Sequence, residues 1–443
     1  MSINEISIKL INHASIVIKS GDVSLLCDPW FMETCFSGGW GLRYLNPFAI
    51  QDSLSSTHLW ISHLHSDHLH IPTLKAFAEK NQKIKTLANV SINYDFRKIL
   101  LSIGFPNIIP LYERKKLDLS NNFSVIRFPL IGIDNFLLIE SCGIKILNLN
   151  DCNLPDQALK SLLKKIGKID VLMLNYNHAY KIITQTSDDL IKDGLIKRFL
   201  RIVNNCKPVW IVPFASSHYY CSPLSFEQNN SMLTINEIAK LDPRVIVANM
   251  GDEVIFNQNN EPVIKHRFPP LSPVKLTKKE EGKSIDFEVL LDSAEKYSSL
   301  LKNEFFGIVP KISPLHILVS DLGKTLVFDP TKGINQSESN RVKEPHILLH
   351  SKVLHDWFTK PFGVTSLFIG ADFKVVSDDT KPLSDLIAIG FLVEKSLTIK
   401  KILKLFFTLK GWLFFWNRRE QLYAILSTLN FKVGNRVPFF YKK

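Results

Sequence analysis

Cysteine is scarce and unpatterned. The six cysteines (Cys27, Cys35, Cys142, Cys152, Cys206 and Cys221) make no C-x-x-C pair and no regular spacing, which argues against a disulfide framework and a thiolate zinc ribbon. No Cys-x-His pair occurs, so the chain carries no Rieske iron–sulfur motif. No uncharged apolar run reaches the roughly 18 residues that a membrane-spanning helix needs. The opening Met-Ser-Ile-Asn-Glu-Ile-Ser-Ile-Lys lacks the basic and apolar segments of a secretory signal. From these absences we expect a cytoplasmic protein with reduced thiols. Histidine, too, is missing over residues 71–177.

The 443 residues exceed one typical domain, and 45% hydrophobic content is enough for two cores. Basic residues outnumber acidic ones 54 to 42, a net +12. That excess favours a small, anionic substrate or an acidic surface; no nucleic acid is expected as partner.

Five of the 13 histidines fall between His58 and His70. His63, His65, Asp67 and His68 stand within six residues. They follow the apolar run Leu59-Trp60-Ile61, a buried strand, and precede Ile71-Pro72-Thr73, which reads as a helix start. On an extended loop His63 and His65 point to the same side and can bind one ion. Asp67 and His68 curl back as the helix begins and can bind a second. Imidazole plus carboxylate, without thiolate, suits zinc, iron or manganese.

His63-Leu-His65-Ser-Asp67-His68 resembles the H-x-H-x-D-H signature of the metallo-β-lactamase superfamily. His13-Ala-Ser with Leu26-Cys-Asp28-Pro29-Trp30 resembles the opening hairpin of its ascorbate-lactonase-like and N-acyl-phosphatidylethanolamine phospholipase-like branch. His68 to Leu74 resembles the same branch and the non-Rieske part of CMP-sialic acid hydroxylase. The resemblance implies an α/β fold, the four-layer αβ/βα sandwich, with an additional C-terminal α+β domain here. It implies two divalent metal ions, zinc foremost, with iron or manganese as alternatives.

The same resemblance implies roles for residues further along. Asp28 would brace the histidines from behind. Asp151, at the end of the strand Ile144–Leu149, would bridge the ions; an N-cap for helix 156–165 is the alternative. A late histidine, His218, would complete the second ion, with His178 in reserve for ligand or substrate contact. A further family histidine has no counterpart, and Asp134 in Gly-Ile-Asp-Asn stands nearest its place, either as a ligand or as a turn residue. A carboxylate there shifts the site toward iron or manganese. Trp40, in the Gly- and aromatic-rich stretch 31–56, and Tyr219 are candidates for substrate contact.

The remaining pattern gives the frame. Residues 6–18 and 23–28 read as a two-stranded hairpin, with helices at 73–80 and 96–103 and strands at 84–90, 108–111, 171–174, 209–214 and 245–250. We expect a metal-binding catalytic domain over 1–260, a Pro-rich linker over 261–284 and a C-terminal domain over 285–443, in which 362–370 reads as a turn and strand. Residues 396–416 interleave Lys400, Lys401, Lys404 and Lys410 with aromatics and read as a helix packed on its own domain with its lysine stems snorkelling; a basic amphipathic helix lying on an anionic membrane surface is the alternative.

Two ions so held lower the pKa of a bridging water toward 7 and suit hydrolysis of a phosphorylated, nucleotide-linked, lactone or amide substrate, with Asp67 and Asp151 as catalytic carboxylates. Loaded with iron, the frame suits dioxygen activation and needs a separate electron-donor protein. A non-catalytic metal-binding or membrane-associated subunit is the third alternative.

Overall fold

A computed structural model describes residues 5–91, 94–183, 186–257, 260–307, 312–336 and 344–422. Two sheets face each other. The first runs, in spatial order, Asn260–Lys265, Glu253–Asn257, Glu5–Asn12, Ser15–Ser20, Val23–Cys27, His58–Trp60, Lys85–Asn89 and Ile108–Leu111. The second runs Trp210–Pro213, Val171–Leu174, Ile144–Asn148, Asn135–Ser141, Phe123–Pro129 and Lys116–Ser120.

Alternation along the strands makes four layers. Val125, Leu137, Ile139, Ile146 and Met173 point inward against Ile8, Ile16, Ile18 and Leu25 of the first sheet. Their neighbours Leu138, Leu147, Leu172 and Leu174 point outward, under the helices Asp156–Ile166 and Asp188–Cys206. On the other side Ile11, Leu26 and Leu59 meet the helices Ile71–Lys80 and Phe96–Ile103. Sheets covered on both faces need apolar residues at nearly every position, which is why these strands read as continuous runs. Gly104 ends the second of those helices in the left-handed conformation (φ 118°), where glycine carries no steric penalty.

The chain then builds a second core. A five-stranded sheet, ordered Gly333–Gln336, Lys324–Asp329, Leu315–Val319, Ile347–Leu349 and Lys374–Val375, packs with helices Phe287–Glu304, Ser351–Thr359, Gly363–Gly370 and Lys381–Glu394. It is joined closely to the sandwich. Lys181 N–H donates to Phe368 O at 2.7 Å, and Ser222 Oγ donates to the Asp372 carboxylate at 2.5 Å. Gly39 lies directly against the Gly370 backbone; a Cβ there would stand 2.3 Å from Gly370 O.

Four expectations differ from the fold. Residues 6–18 are two strands, because the chain reverses at His13-Ala14, where Asn12 pairs with Ser15. The late strand falls at Glu253–Asn257 rather than 245–250, of which only Val245 makes a bridge, to Ile211. Asn260–Lys265 still pairs with Glu253–Asn257, so the sheet runs past residue 260 to Lys265. Residues 363–370 are a helix, not a strand. Val364, Thr365 and Ile369 gave them a strand-like composition, but Glu394 satisfies the first turn: its carboxylate accepts from Val364 N at 2.7 Å and Thr365 N at 3.0 Å.

Burial pushes the Glu394 carboxyl up to about 7 in spite of these donors. An acid whose folded pKa is raised contributes stability below its unfolded value, and that contribution is lost as pH rises through the folded one. Glu394→Gln should therefore gain in melting temperature relative to wild type between about pH 5 and about pH 8. An unchanged difference across that range would show that the group titrates normally.

Candidate metal centre

The site lies along one edge of both sheets. The loops after Glu5–Asn12, Val23–Cys27, His58–Trp60 and Ile144–Asn148 bring His13, Asp28, the 63–68 segment and Asp151. Asp134 precedes Asn135–Ser141, which runs antiparallel to Ile144–Asn148 and so begins at that same edge. Ligands at the carboxyl ends of parallel strands are the usual arrangement in such sheets. The turns are sharp: His13, Asp28, Asn150 and Ala215 take left-handed backbone angles (φ 31°, 46°, 54° and 50°). Each costs about 1–2 kcal/mol in an L-residue and persists only where the surroundings impose it.

His68 is at the centre and fully buried. Its Nδ1 lies 3.0 Å from Asp28 Oδ2, and its Nε2 lies 3.0 Å from Asp151 Oδ2 and 3.2 Å from Asp67 Oδ2. Asp28 is itself fixed, accepting from Ser62 N at 2.7 Å and Asn150 Nδ2 at 2.6 Å. That is the bracing position the resemblance implied. Asp151 caps nothing: the helix Asp156–Ile166 begins at Pro155 with no side-chain cap.

Among the described residues three donor groups result, each with ligand atoms within 4.8 Å of one another: His13, Asp67 and His68; His63, His68 and Asp151; and His63, His65 and Asp134. His63 Nε2 lies 2.7 Å from His65 Nδ1 and 3.8 Å from Asp134 Oδ1, while Ser62 Oγ holds its Nδ1 at 2.8 Å. The groups overlap at His63 and His68, so the cluster is continuous.

Its electrostatics call for cations. Burial, with His68 adding to it, keeps His63 below the ordinary imidazole range. Burial and His63 push His65 down to about 3. Both are therefore neutral, the form that ligates metal. Burial alone would raise Asp67, yet His68 and His13 hold it well below the ordinary carboxylate range. Asp134 is lowered against burial by Lys395 and the nearby imidazoles. His68, which burial would lower, is driven well up by Asp67, Asp151 and Asp28. Three carboxylates, Asp28, Asp67 and Asp151, thus crowd His68, with Asp134 beside His63, a charge imbalance that bound divalent ions would offset. Several buried polar atoms also lack partners: His13 Nδ1, His65 Nε2, Asp67 Oδ1 and both ring nitrogens of His218. The residues present fit a dinuclear site.

The other site candidates separate. His218 is not in the three donor groups. It is buried, stacked on Trp40 at 3.7 Å between ring centroids, and 5.2 Å from the His13 ring. Burial and His13 hold it well below the ordinary imidazole range. His13 stands where a second-ion histidine was expected, 3.4 Å from Asp67 Oδ2. Trp40 lines the site through His13 and His218. His178 does not offer itself to substrate, since Tyr220 OH at 2.8 Å and Ser231 Oγ at 3.0 Å occupy both its nitrogens. Tyr219 is turned away by strand alternation: His218 and Tyr220 are buried, while Tyr219 reaches Thr277 Oγ1 at 3.5 Å. The Gly- and aromatic-rich stretch 31–56 holds a short strand, Trp40–Leu42, and closes one wall. Phe36 N–H donates to Ser66 Oγ at 2.9 Å and its ring lies 6.3 Å from that of His65.

No family model matches the chain. Among curated proteins it is similar to cytidine monophosphate-N-acetylneuraminic acid hydroxylase. The Danio rerio protein is 30% identical over 232 residues, 48% of this chain and 38% of that protein. The Mus musculus protein is 30% identical over 164 residues, 35% and 28%. The Homo sapiens protein, named as inactive, is 29% identical over 164 residues, 35% and 32%. The matched segments span about a third of the relatives' length. Solved structures with likeness include CmlA, a diiron beta-hydroxylase from Streptomyces venezuelae (14% identity, TM-score 0.43, 58% of this chain and 54% of that one). An isothiocyanate hydrolase from Delia radicum gut bacteria also aligns (15%, 0.43, 57% and 100%).

Two substitutions test the site as built. Asp28→Asn removes the anion that orients His68 and should weaken metal retention about 10–100-fold, as loss of such outer partners typically does. His13→Ala should lower bound metal under chelator competition if His13 donates to the second ion. Retention equal to wild type would remove it from the ligand set.

Proposed function

We propose, for a chain that has the metallo-β-lactamase fold and is homologous to a region of CMP-N-acetylneuraminic acid hydroxylase, that it is a two-metal oxygenase hydroxylating a small anionic substrate. Asp134 carries this reading. It stands with His63 and His65 as a two-histidine, one-carboxylate donor set, the combination that suits non-haem iron. His63, His65 and Asp134 would hold the first ion, and Asp67, His68 and His13 the second, with Asp151 between them. When bound as iron, the ions supply a redox-active Lewis-acid centre for dioxygen.

The protein's own part is positioning and exclusion. Asp28 fixes the His68 ring, and Ser62 fixes His63. Trp40, Phe36 and His218 keep one side dry. Asp134 and Asp151 remain about a fifth exposed, which leaves the approach for substrate on their side. Lys395, the group that acts most strongly on Asp134 after burial, puts positive charge at that approach, where an anionic substrate would be drawn. Hydroxylation of one C–H bond by dioxygen, with water as co-product, takes two electrons and two protons from outside. A donor protein would deliver the electrons.

Hydrolysis is the second reading. The neutral pair His63 and His65 serves zinc equally well, and the same centre then needs no electron donor. Metal analysis of anaerobically purified protein separates the two. About two iron per chain, with reductant-dependent dioxygen uptake that Asp134→Ala abolishes, supports the oxygenase. About two zinc, with turnover of phosphodiesters or lactones, supports the hydrolase. Failure to bind metal even on reconstitution overturns both.

A further inference from the structure

The stretch 396–416 is not one helix but two, Ile399–Phe406 and Leu409–Asn417, broken at Phe407-Thr408. They pack tightly: a Cβ on Gly411 would stand 1.7 Å from Leu405 O. The second helix is inverted relative to an ordinary surface helix. Its inner face carries Phe414, with Arg418 at its end. Arg418 is only 2% exposed, lies 3.8 Å over the Phe414 ring, and donates to both oxygens of Glu113 at 2.9 and 3.1 Å and to Leu130 O at 3.0 Å. Its outer face carries Leu409, Trp412, Leu413 and Trp416 at i, i+3, i+4 and i+7, exposed by 80, 59, 53 and 63%.

The first helix continues that face. Phe406 meets Trp412 edge-on at 6.0 Å, and Phe407 at the tip is 85% exposed. A contiguous aromatic patch open to solvent marks a binding surface. Its surroundings say what it binds. Lys401, Lys404 and Lys410 are exposed around it, Arg419 lies 4.3 Å over Trp416, and no acidic residue occurs between 395 and 419. Cores of protein interfaces are poor in lysine. Tryptophan and phenylalanine interleaved with lysine match the headgroup layer of a membrane with negative charge. Among the described residues no helix is long and apolar enough to cross a bilayer.

We propose that the hairpin 399–417 is a membrane-docking surface that seats its aromatic edge in the headgroup region of an anionic lipid bilayer. The inner-face contacts then act as a brace: Arg418 and Gln421 tie the hairpin to Glu113 and to the segment 129–131 that leads into Asp134. The docked face and the candidate metal centre are thereby held in fixed relation.

The test is co-sedimentation of the full-length, metal-loaded protein with phosphatidylcholine vesicles, with and without about a third phosphatidylserine. Binding to the anionic vesicles, weakened by salt and accompanied by a blue shift of tryptophan fluorescence, is expected. Lys401→Gln, Lys404→Gln and Lys410→Gln should each lower partition about fivefold. The pair Trp412→Glu and Trp416→Glu should lower it more than about tenfold with metal content and melting temperature unchanged, because both side chains already face solvent. Failure of the wild type to bind, or equal binding by the tryptophan variant, overturns the proposal. So does a wild-type dimer that the tryptophan variant converts to monomer, which would assign the face to a second copy of the chain.

Discussion

A buried histidine ringed by carboxylates sets the terms for the rest of this molecule. Asp28, Asp67 and Asp151 all lie within 3.2 Å of the His68 ring nitrogens, and His68, Asp28 and Asp67 are buried. Such an arrangement is costly in a folded chain unless cations share it. Two sheets meeting at one edge are what bring it about, since no single strand could deliver aspartates from positions 28, 67 and 151 to one imidazole. Strained turns at His13, Asp28 and Asn150 are tolerated at that edge because hydrogen bonds from Ser62 and Asn150 fix Asp28 from both sides.

The C-terminal region belongs to the same construction. Its helix Gly363–Gly370 backs the aromatic wall through Phe36 and Gly39. Lys395 adds an ammonium charge that acts on Asp134, and Tyr94 ties that segment down by donating to Glu394 O at 2.6 Å. Arg418 reaches the strand edge at Glu113. What reads in sequence as an appendix of unrelated composition is structurally a support for one side of the site.

Legibility tracked locality. His63, His65, Asp67 and His68 declare themselves because their spacing is their geometry. Asp151 could be read because it ends a plainly apolar strand. His13 was passed over as a candidate donor for the reason that the strand break was missed: Ile6, Ile8 and Leu10 alternate, Ile16-Val17-Ile18 runs apolar, and nothing at His13-Ala14 carries glycine or proline to announce a reversal. Tyr219 was misplaced because its facing depends on the register of a three-residue strand. The helix at 363–370 depends on Glu394, 30 residues away, and the inversion of 409–417 on Glu113, some 300 residues away. Neither partner is visible in a local window. Asp134 stood between two readings in sequence, and it takes its 3.8 Å approach to His63 to bring it beside the candidate donors.

Where Gly39 meets Gly370, backbone rests on backbone with no room for a methyl group on either side: a Cβ on Gly370 would come within 2.9 Å of Phe36 O. The two positions therefore form one heritable unit, since a side chain gained at either displaces the wall of the site. A chain built this way cannot exchange its C-terminal region for another without rebuilding the loop over its histidines, so the two parts have to change together.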